Sequence, residues 1–117
     1  MDLVLNDNVI KHVEKEAITK VSASMKDDLV EGILYGSCAR GDYSQDSDID
    51  IALITRCDRI TVKKYNDMLN DVATELAMKY FAIVNFVCIP YEEYIEKKSW
   101  YAYFKNIAKE GLIINNN

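Results

Sequence analysis

The sequence predicts an α+β fold, with some α/β character, in which a small mixed β-sheet is flanked by helices. Three apolar segments rich in β-branched residues have the length of strands, at about 30–35, 49–54 and 82–89. Two longer segments, at about 7–26 and 59–80, repeat apolar residues at three- and four-residue steps, as amphipathic helices do. With 117 residues, of which 50% are hydrophobic, the chain has the size and composition of one globular domain.

The first two elements are a helix and a strand. Residues 7–26 carry one apolar stripe, and Asp7 or Asn8 is placed to cap the start of this helix. Residues 30–35 form the first predicted strand, which Gly36 ends because glycine favours a turn.

The middle of the chain is predicted as loop, strand, helix and strand. Residues 37–47 are polar and rich in Ser, Asp and Gly, so at least part of this segment is a loop. The second strand begins near Asp48, and a second helix covers about 59–80. A dense apolar run at 82–89 is the third strand, and Pro90 stops it.

The last part of the chain is predicted to be mainly helical. Residues 91–96 and 100–109 form helices, and Gly111 is the expected helix stop. Residues 112–114 have the composition of a short edge strand. The polar tail at 115–117 is expected to fray, and residues 1–117 are expected to form one domain.

Composition excludes several classes of function. The net charge of −5 argues against nonspecific binding to nucleic acid, which needs a basic surface, although metal ions would still allow a nucleotide to bind. No apolar run approaches the roughly 20 residues of a membrane span, and the N-terminus lacks a signal pattern. The three cysteines are odd in number and lack metal-binding spacing, so the expected compartment is the cytoplasm.

Two elements of the sequence suit a polyphosphate and its metal. Gly36 lets the backbone approach a phosphate closely, the Ser37 hydroxyl can donate to its oxygens, and Arg40 can add a charged contact. Asp48 and Asp50 lie ten residues further on, and strand alternation turns both carboxylates to the same face. Paired carboxylates of this kind favour Mg²⁺ or Mn²⁺. Each element alone is also typical of ordinary turns and strand edges, whereas the combination predicts a nucleotide site.

The segment resembles the signature of the DNA polymerase β-type nucleotidyltransferase superfamily. The resemblance rests on the pattern Gly36-Ser37-x10-Asp48-x-Asp50, with Ala39, Arg40, Gly41 and Ser47 inside it. More narrowly, the chain is similar over nearly its whole length to the minimal nucleotidyltransferases. These small prokaryotic proteins are often encoded beside a HEPN-domain protein, and some are MntA-type antitoxins.

The resemblance implies transfer of a nucleoside monophosphate from an NTP to an acceptor hydroxyl, with AMP from ATP as the expected case. It implies that Gly36 and Ser37 hold the β- and γ-phosphates, with Arg40 as an additional contact. It also implies that Asp48 and Asp50 ligate two Mg²⁺ ions. The expected partner is a HEPN-domain toxin, which AMP addition to a tyrosine would silence. A small-molecule acceptor is less favoured, because the chain is too short for a second domain.

One position departs from the pattern of the superfamily. Active members usually carry a third carboxylate on a later strand, and the matching polar residue here is Asn85. An amide can ligate a metal through its oxygen, but it cannot act as a base. The alternative function is therefore a weakly active or inactive nucleotide-binding module that neutralises its partner by forming a complex. Asn85 is equally consistent with a buried amide bonded to backbone, and Glu92 or Glu93 is a candidate replacement for the carboxylate.

Overall fold

The computed structural model describes residues 4–114, so the expected fraying of 115–117 concerns residues outside the described part. Within it, five α-helices and one mixed four-stranded sheet confirm the predicted α+β fold. The helices are α1 (Asp7–Met25), α2 (Ser37–Arg40), α3 (Asn66–Tyr80), α4 (Tyr91–Lys97) and α5 (Ala102–Glu110). The strands are β1 (Leu29–Tyr35), β2 (Ile49–Thr55), β3 (Val84–Pro90) and β4 (Leu112–Ile114).

The four strands form one mixed sheet in the order β3-β2-β1-β4. β1 is antiparallel to both β2 and β4, whereas β2 and β3 run parallel. The register pairs Tyr35 with Asp50, and Asp50 with Asn85. Because paired residues share a face, three neighbouring strands bring these side chains to one end and one face of the sheet.

Each face of the sheet is covered by a different pair of helices. α1 and α3 pack on one face around a core that includes Val13, Val21, Ile51 and Leu76. α4 and α5 cover part of the other face, and their buried residues Tyr94, Phe104 and Ile107 pack against inward residues of β1, β2 and β3. The apolar stripes predicted for the long helices therefore face the sheet. None of the helices within residues 4–114 is long and apolar enough to cross a membrane.

The first helix begins as predicted, but its cap is a different residue. Asn6 has extended backbone angles, and its Oδ1 accepts a hydrogen bond of 2.9 Å from the N–H of Val9. The sequence prediction of Asp7 or Asn8 as the cap is therefore wrong, because the helix starts one residue before the start that an Asp7 cap requires and two before that of an Asn8 cap.

The second long helix begins later than predicted. Residues Thr61–Tyr65 form a 3₁₀ helix, and the α-helix starts at Asn66. The Oδ1 of Asp58 accepts from the N–H groups of Ile60 and Thr61, at 3.1 and 2.6 Å. This carboxylate holds a tight turn at the start of the segment, which displaces the regular helix by about two turns.

Candidate functional site

Two aspartates and one asparagine meet at one end of the sheet. Asp48 directly precedes β2, and Asp50 is the second residue of that strand. The Nδ2 of Asn85 donates to Asp48 Oδ2 at 2.9 Å and to Asp50 Oδ1 at 3.2 Å. Ile49, between the aspartates, is fully buried on the α1–α3 face, which turns both carboxylates to the opposite face. One amide thus bridges two neighbouring carboxylates.

The environment of Asn85 decides between two interpretations of that residue. Its side chain is exposed, and the hydrogen bonds of its amide go to the Asp48 and Asp50 carboxylates. The interpretation as a buried amide bonded to neighbouring backbone is therefore wrong. Asn85 stands beside the carboxylate pair, and its correspondence to the third carboxylate of the superfamily stays a prediction.

The glycine that follows β1 lies against the carboxylate of Asp50. Gly36 has φ 75° and ψ −158°, a backbone conformation that is essentially restricted to glycine. A Cβ atom at this position would lie 2.8 Å from Oδ2 of Asp50. The turn can approach Asp50 this closely only because residue 36 has no side chain.

The turn then continues into a short helix that is bonded to the backbone of Asp48. Ser37 begins α2, and the buried thiol of Cys38 donates to the backbone oxygen of Asp48 at 3.4 Å. Burial raises the pKa of the Cys38 thiol, and the charges of Asp50 and Asp48 raise it further. Cys38 therefore stays protonated at neutral pH and joins α2 to the start of β2. The structure thus brings Gly36, Ser37, Asp48, Asp50 and Asn85 together.

The electrostatics of the pair favour a cation. Partial burial raises the pKa of Asp50, a hydrogen bond from Asn85 opposes that effect, and the charge of Asp48 adds to the rise. A positive ion between the carboxylates would relieve both the desolvation and the repulsion. Residues 4–114 contain no group of three or more His, Cys, Asp and Glu side chains arranged to hold a metal.

The available ligand atoms nevertheless fit magnesium. The pair offers carboxylate oxygens, and a half-turn of the Asn85 amide would present its Oδ1 in place of Nδ2. Oxygen ligands of this kind suit Mg²⁺, which completes its coordination with waters and substrate phosphates. The residues present therefore fit the metal that the sequence predicts, provided that the phosphates supply the missing ligands.

Arg40 is the predicted site residue that the structure places elsewhere. Its Nε lies 3.2 Å from Asp42 Oδ2, and its Nη1 lies 3.0 Å from Glu110 Oε2. These ion pairs connect α2 to the end of α5 and leave the guanidinium partly exposed. A contact between Arg40 and a phosphate remains a prediction, and the Nε and Nη1 atoms that hold these carboxylates would not be its first donors.

The expectation that Glu92 or Glu93 approaches the aspartates is wrong. β3 runs parallel to β2, so the residues after β3 lie at the opposite end of the sheet from Asp48 and Asp50. The Glu93 carboxylate accepts two hydrogen bonds from the Arg59 guanidinium, at 3.0 and 2.5 Å.

Two tyrosines near the site escaped the sequence analysis. Tyr35 pairs with Asp50 across the sheet, and its hydroxyl lies 2.8 Å from that of Tyr103 on α5. Burial, the bond to Tyr103 and the charge of Asp50 all raise the pKa of Tyr35, which keeps its hydroxyl protonated. The position of Tyr35 just before Gly36 was a usable signal. The position of Tyr103 beside Tyr35 depends on α5 packing against β1, and the sequence pattern does not indicate that packing.

Comparison with known proteins agrees with this geometry. A family model described as the nucleotidyltransferase domain matches residues 11–115. Two proteins of Methanocaldococcus jannaschii, each named putative protein adenylyltransferase, are similar to the chain. The first is 31% identical over 86% of this chain and 92% of its own length. The second is 31% identical over 66% of this chain and 72% of its own length.

Solved structures share the fold at low identity. A structure described as a toxin–antitoxin with AMP-PNP has a TM-score of 0.53 and 20% identity, over 97% of this chain and 75% of that chain. A mutant of the toxin–antitoxin MntA-HpeT has a TM-score of 0.51 and 19% identity over the same shares. A structure described as a putative nucleotidyltransferase from Sulfolobus solfataricus has a TM-score of 0.50 and 20% identity, over 92% and 80%.

Proposed function

The chain belongs to the nucleotidyltransferase domain family, and we propose that it transfers AMP from ATP to a hydroxyl group on a partner protein. The observation that carries this proposal is the junction of Gly36 with Asp50, Asp48 and Asn85. A turn that glycine favours lies against Asp50, which shares the Asn85 amide with Asp48, so the candidate phosphate-binding and metal-binding groups are neighbours.

The carboxylates would hold the metal and the turn would hold the phosphates. Asp48 and Asp50 would ligate two Mg²⁺ ions, which would supply charge neutralisation at the phosphates during an in-line displacement. Gly36 and Ser37 would contact the β- and γ-phosphates, and Arg40 would add a charged contact to them.

The transfer itself exchanges one bond to phosphorus for another. The acceptor oxygen forms a bond to the α-phosphorus, the bond from that phosphorus to the bridging oxygen breaks, and pyrophosphate leaves with its electron pair. The hydroxyl proton is lost to water or to a phosphate oxygen. Asn85 cannot take this proton, because a neutral amide is not a base at neutral pH. Asn85 would instead orient Asp48 and Asp50 before the substrate binds.

A protein acceptor is favoured over a small molecule. The two relatives are each named putative protein adenylyltransferase, and two structures of the same fold are each described as a toxin–antitoxin. We therefore propose that the chain is the antitoxin of a toxin–antitoxin pair in the cytoplasm. Its partner would be a HEPN-domain toxin that carries the modified tyrosine.

The acceptor can be found by labelling. A lysate of the source cell would be incubated with the protein, Mg²⁺ and ATP labelled in the α-phosphate, and the labelled bands would be identified by mass spectrometry. Asp48→Asn should abolish the labelling without unfolding the protein. Asp46→Asn is the matched control, because Asp46 is an exposed acid of the same loop that makes no bond to Asn85 through its side chain. Equal labelling by all three proteins would refute the proposal.

A second function is supported by Asn85 itself. Without a third carboxylate the protein would bind MgATP and its partner but turn over slowly or not at all, neutralising the partner by complex formation. Asn85→Asp separates the two functions. If the wild-type protein lacks transferase activity and Asn85→Asp restores it, the chain is a binding module. If the wild type labels its partner as fast as Asn85→Asp does, the binding-module hypothesis fails.

A further inference from the structure

The contact between Asn85 and the two aspartates has a defined orientation. The Nδ2 of Asn85 lies 2.9 Å from Asp48 Oδ2 and 3.2 Å from Asp50 Oδ1. An amide nitrogen carries two N–H donors, which supplies one donor for each carboxylate. The opposite orientation would place the Oδ1 of Asn85 against two negatively charged oxygens, with no donor among the three atoms. In the metal-free protein, therefore, the N–H groups of the amide face the carboxylates.

The amide is also the group that offsets the charge of the aspartate pair. Neighbouring carboxylates repel one another, and among residues 4–114 no lysine, arginine or histidine forms an ion pair with Asp48 or Asp50. Within the same part of the chain, the hydrogen bonds that these two side chains accept come from Asn85. The partial positive charge of the N–H groups thus stands where a cation would otherwise be favoured.

A cation would compete with the amide for the same oxygens. A divalent ion ligated by Asp48 Oδ2 and Asp50 Oδ1 would meet the partly positive N–H groups of Asn85, which it repels. Asn85 is exposed, and the parallel pairing of β3 with β2 holds its backbone in register with Asp50. A half-turn about its Cβ–Cγ bond therefore replaces Nδ2 by Oδ1 without any repacking of the core.

We propose that Asn85 is a built-in competitor of the metal: its amide holds Asp48 and Asp50 together in the metal-free protein and weakens the binding of a divalent cation. This inference rests on the proposed ligation of Mg²⁺ by the two aspartates. In the metal-free protein the amide donates to two charged oxygens, and such bonds are stronger than those between neutral groups. In the metal-bound protein its neutral Oδ1 would replace only one water of the ion. The metal-free state therefore gains more from Asn85.

Two variants of residue 85 distinguish a competitor from an ordinary ligand. Asn85→Ala removes the N–H donors and the amide oxygen together, whereas Asn85→Asp removes the donors and adds a third carboxylate. For a competitor, the affinity for a divalent cation rises from the wild type to Asn85→Ala and again to Asn85→Asp. For a ligand that strengthens binding, Asn85→Ala binds the cation more weakly than the wild type does. The position of the wild type in this order therefore decides the role of the amide.

The probe is Mn²⁺ alone, because electron paramagnetic resonance measures the free ion directly. We expect Asn85→Ala to bind Mn²⁺ about tenfold more tightly than the wild type, since two charge-assisted hydrogen bonds are no longer broken and only one neutral ligand is lost. Asn70→Ala is the matched control, because it removes an exposed amide of α3 and should leave the affinity unchanged. The titrations contain no nucleotide and no acceptor protein, so they measure binding apart from transfer.

A second measurement follows the amide in the wild-type protein and does not depend on the folding of a variant at residue 85. In the NMR spectrum of ¹⁵N-labelled protein, the side-chain NH₂ signals of Asn85 should move when diamagnetic Mg²⁺ is added, because the N–H groups leave the carboxylates. The NH₂ signals of Asn70 should stay where they are. Potassium at the same ionic strength should move neither pair of signals.

The outcomes separate this inference from the proposed metal site. If folded Asn85→Ala binds Mn²⁺ no more tightly than the wild type, or if the NH₂ signals of Asn85 do not respond to Mg²⁺, the amide is not a competitor, and the aspartate site stands. If neither the wild type nor Asn85→Asp binds Mn²⁺, or if Asp48→Asn binds it as well as the wild type does, the metal site itself is overturned, and the competitor with it.

Discussion

Replacement of Gly36 by alanine should destabilise the protein far more than the same change at Gly41. Gly36 lies in a backbone region that costs other residues about 1–3 kcal/mol, and its new Cβ would lie 2.8 Å from Asp50 Oδ2. Gly41, with φ 88° and ψ 3°, is left-handed, but a Cβ there meets no atom within 4 Å. We expect a loss of about 3 kcal/mol for Gly36→Ala and about 1 kcal/mol for Gly41→Ala.

Urea unfolding followed by circular dichroism would measure both free energies of unfolding. Loss of unfolded-state entropy by alanine is common to the two variants and cancels in their difference. A double-mutant cycle isolates the contact, because Asp50→Ala removes the carboxylate that the new methyl group would meet. The cost of Gly36→Ala should then fall toward that of Gly41→Ala. The reasoning would be refuted if the two glycine-to-alanine changes lowered the free energy of unfolding equally. It would also be refuted if the loss caused by Gly36→Ala were the same with and without Asp50→Ala.

Three further predictions concern the core, pH and metal. Leu76→Ala should lower the free energy of unfolding by about 2–5 kcal/mol in urea, since Leu76 is fully buried beneath the sheet. Hydrogen bonds from Lys79 and Tyr80 lower the pKa of Glu16, so the ionised carboxylate stabilises the folded protein at neutral pH. This contribution to the free energy of unfolding should be lost as the pH falls below about 4.5, and Glu16→Gln should not show that loss. Mg²⁺ should raise the Tm of the wild type but not that of Asp48→Asn.

Much of the site could be predicted from local sequence. The turn at Gly36 follows a strand, and the alternation of Asp48 and Asp50 about a buried Ile49 requires only strand geometry. Asn85 could be singled out because it is a polar residue within an apolar strand. Each of these inferences depends on only a few neighbouring residues. The positions that they predict for these side chains therefore agree with the structure.

The rest depends on how distant segments meet. Because β3 runs parallel to β2, Glu93 lies at the end of the sheet opposite to Asp48 and Asp50. The composition of a strand does not indicate in which direction it pairs with its neighbour. Arg40 is drawn to Glu110, seventy residues away, and Tyr103 reaches Tyr35 only because α5 returns to the sheet. Such contacts follow from the topology and could not be predicted from periodicity.

The most direct test of the account compares two labels in one reaction. The protein, Mg²⁺ and lysate of the source cell would be incubated with ATP labelled in either the α- or the γ-phosphate. Nucleotidyl transfer predicts that a protein band carries the α label and not the γ label, and that Asp48→Asn abolishes it. Incorporation of the γ label, or an α label that persists in Asp48→Asn, would contradict the central claim.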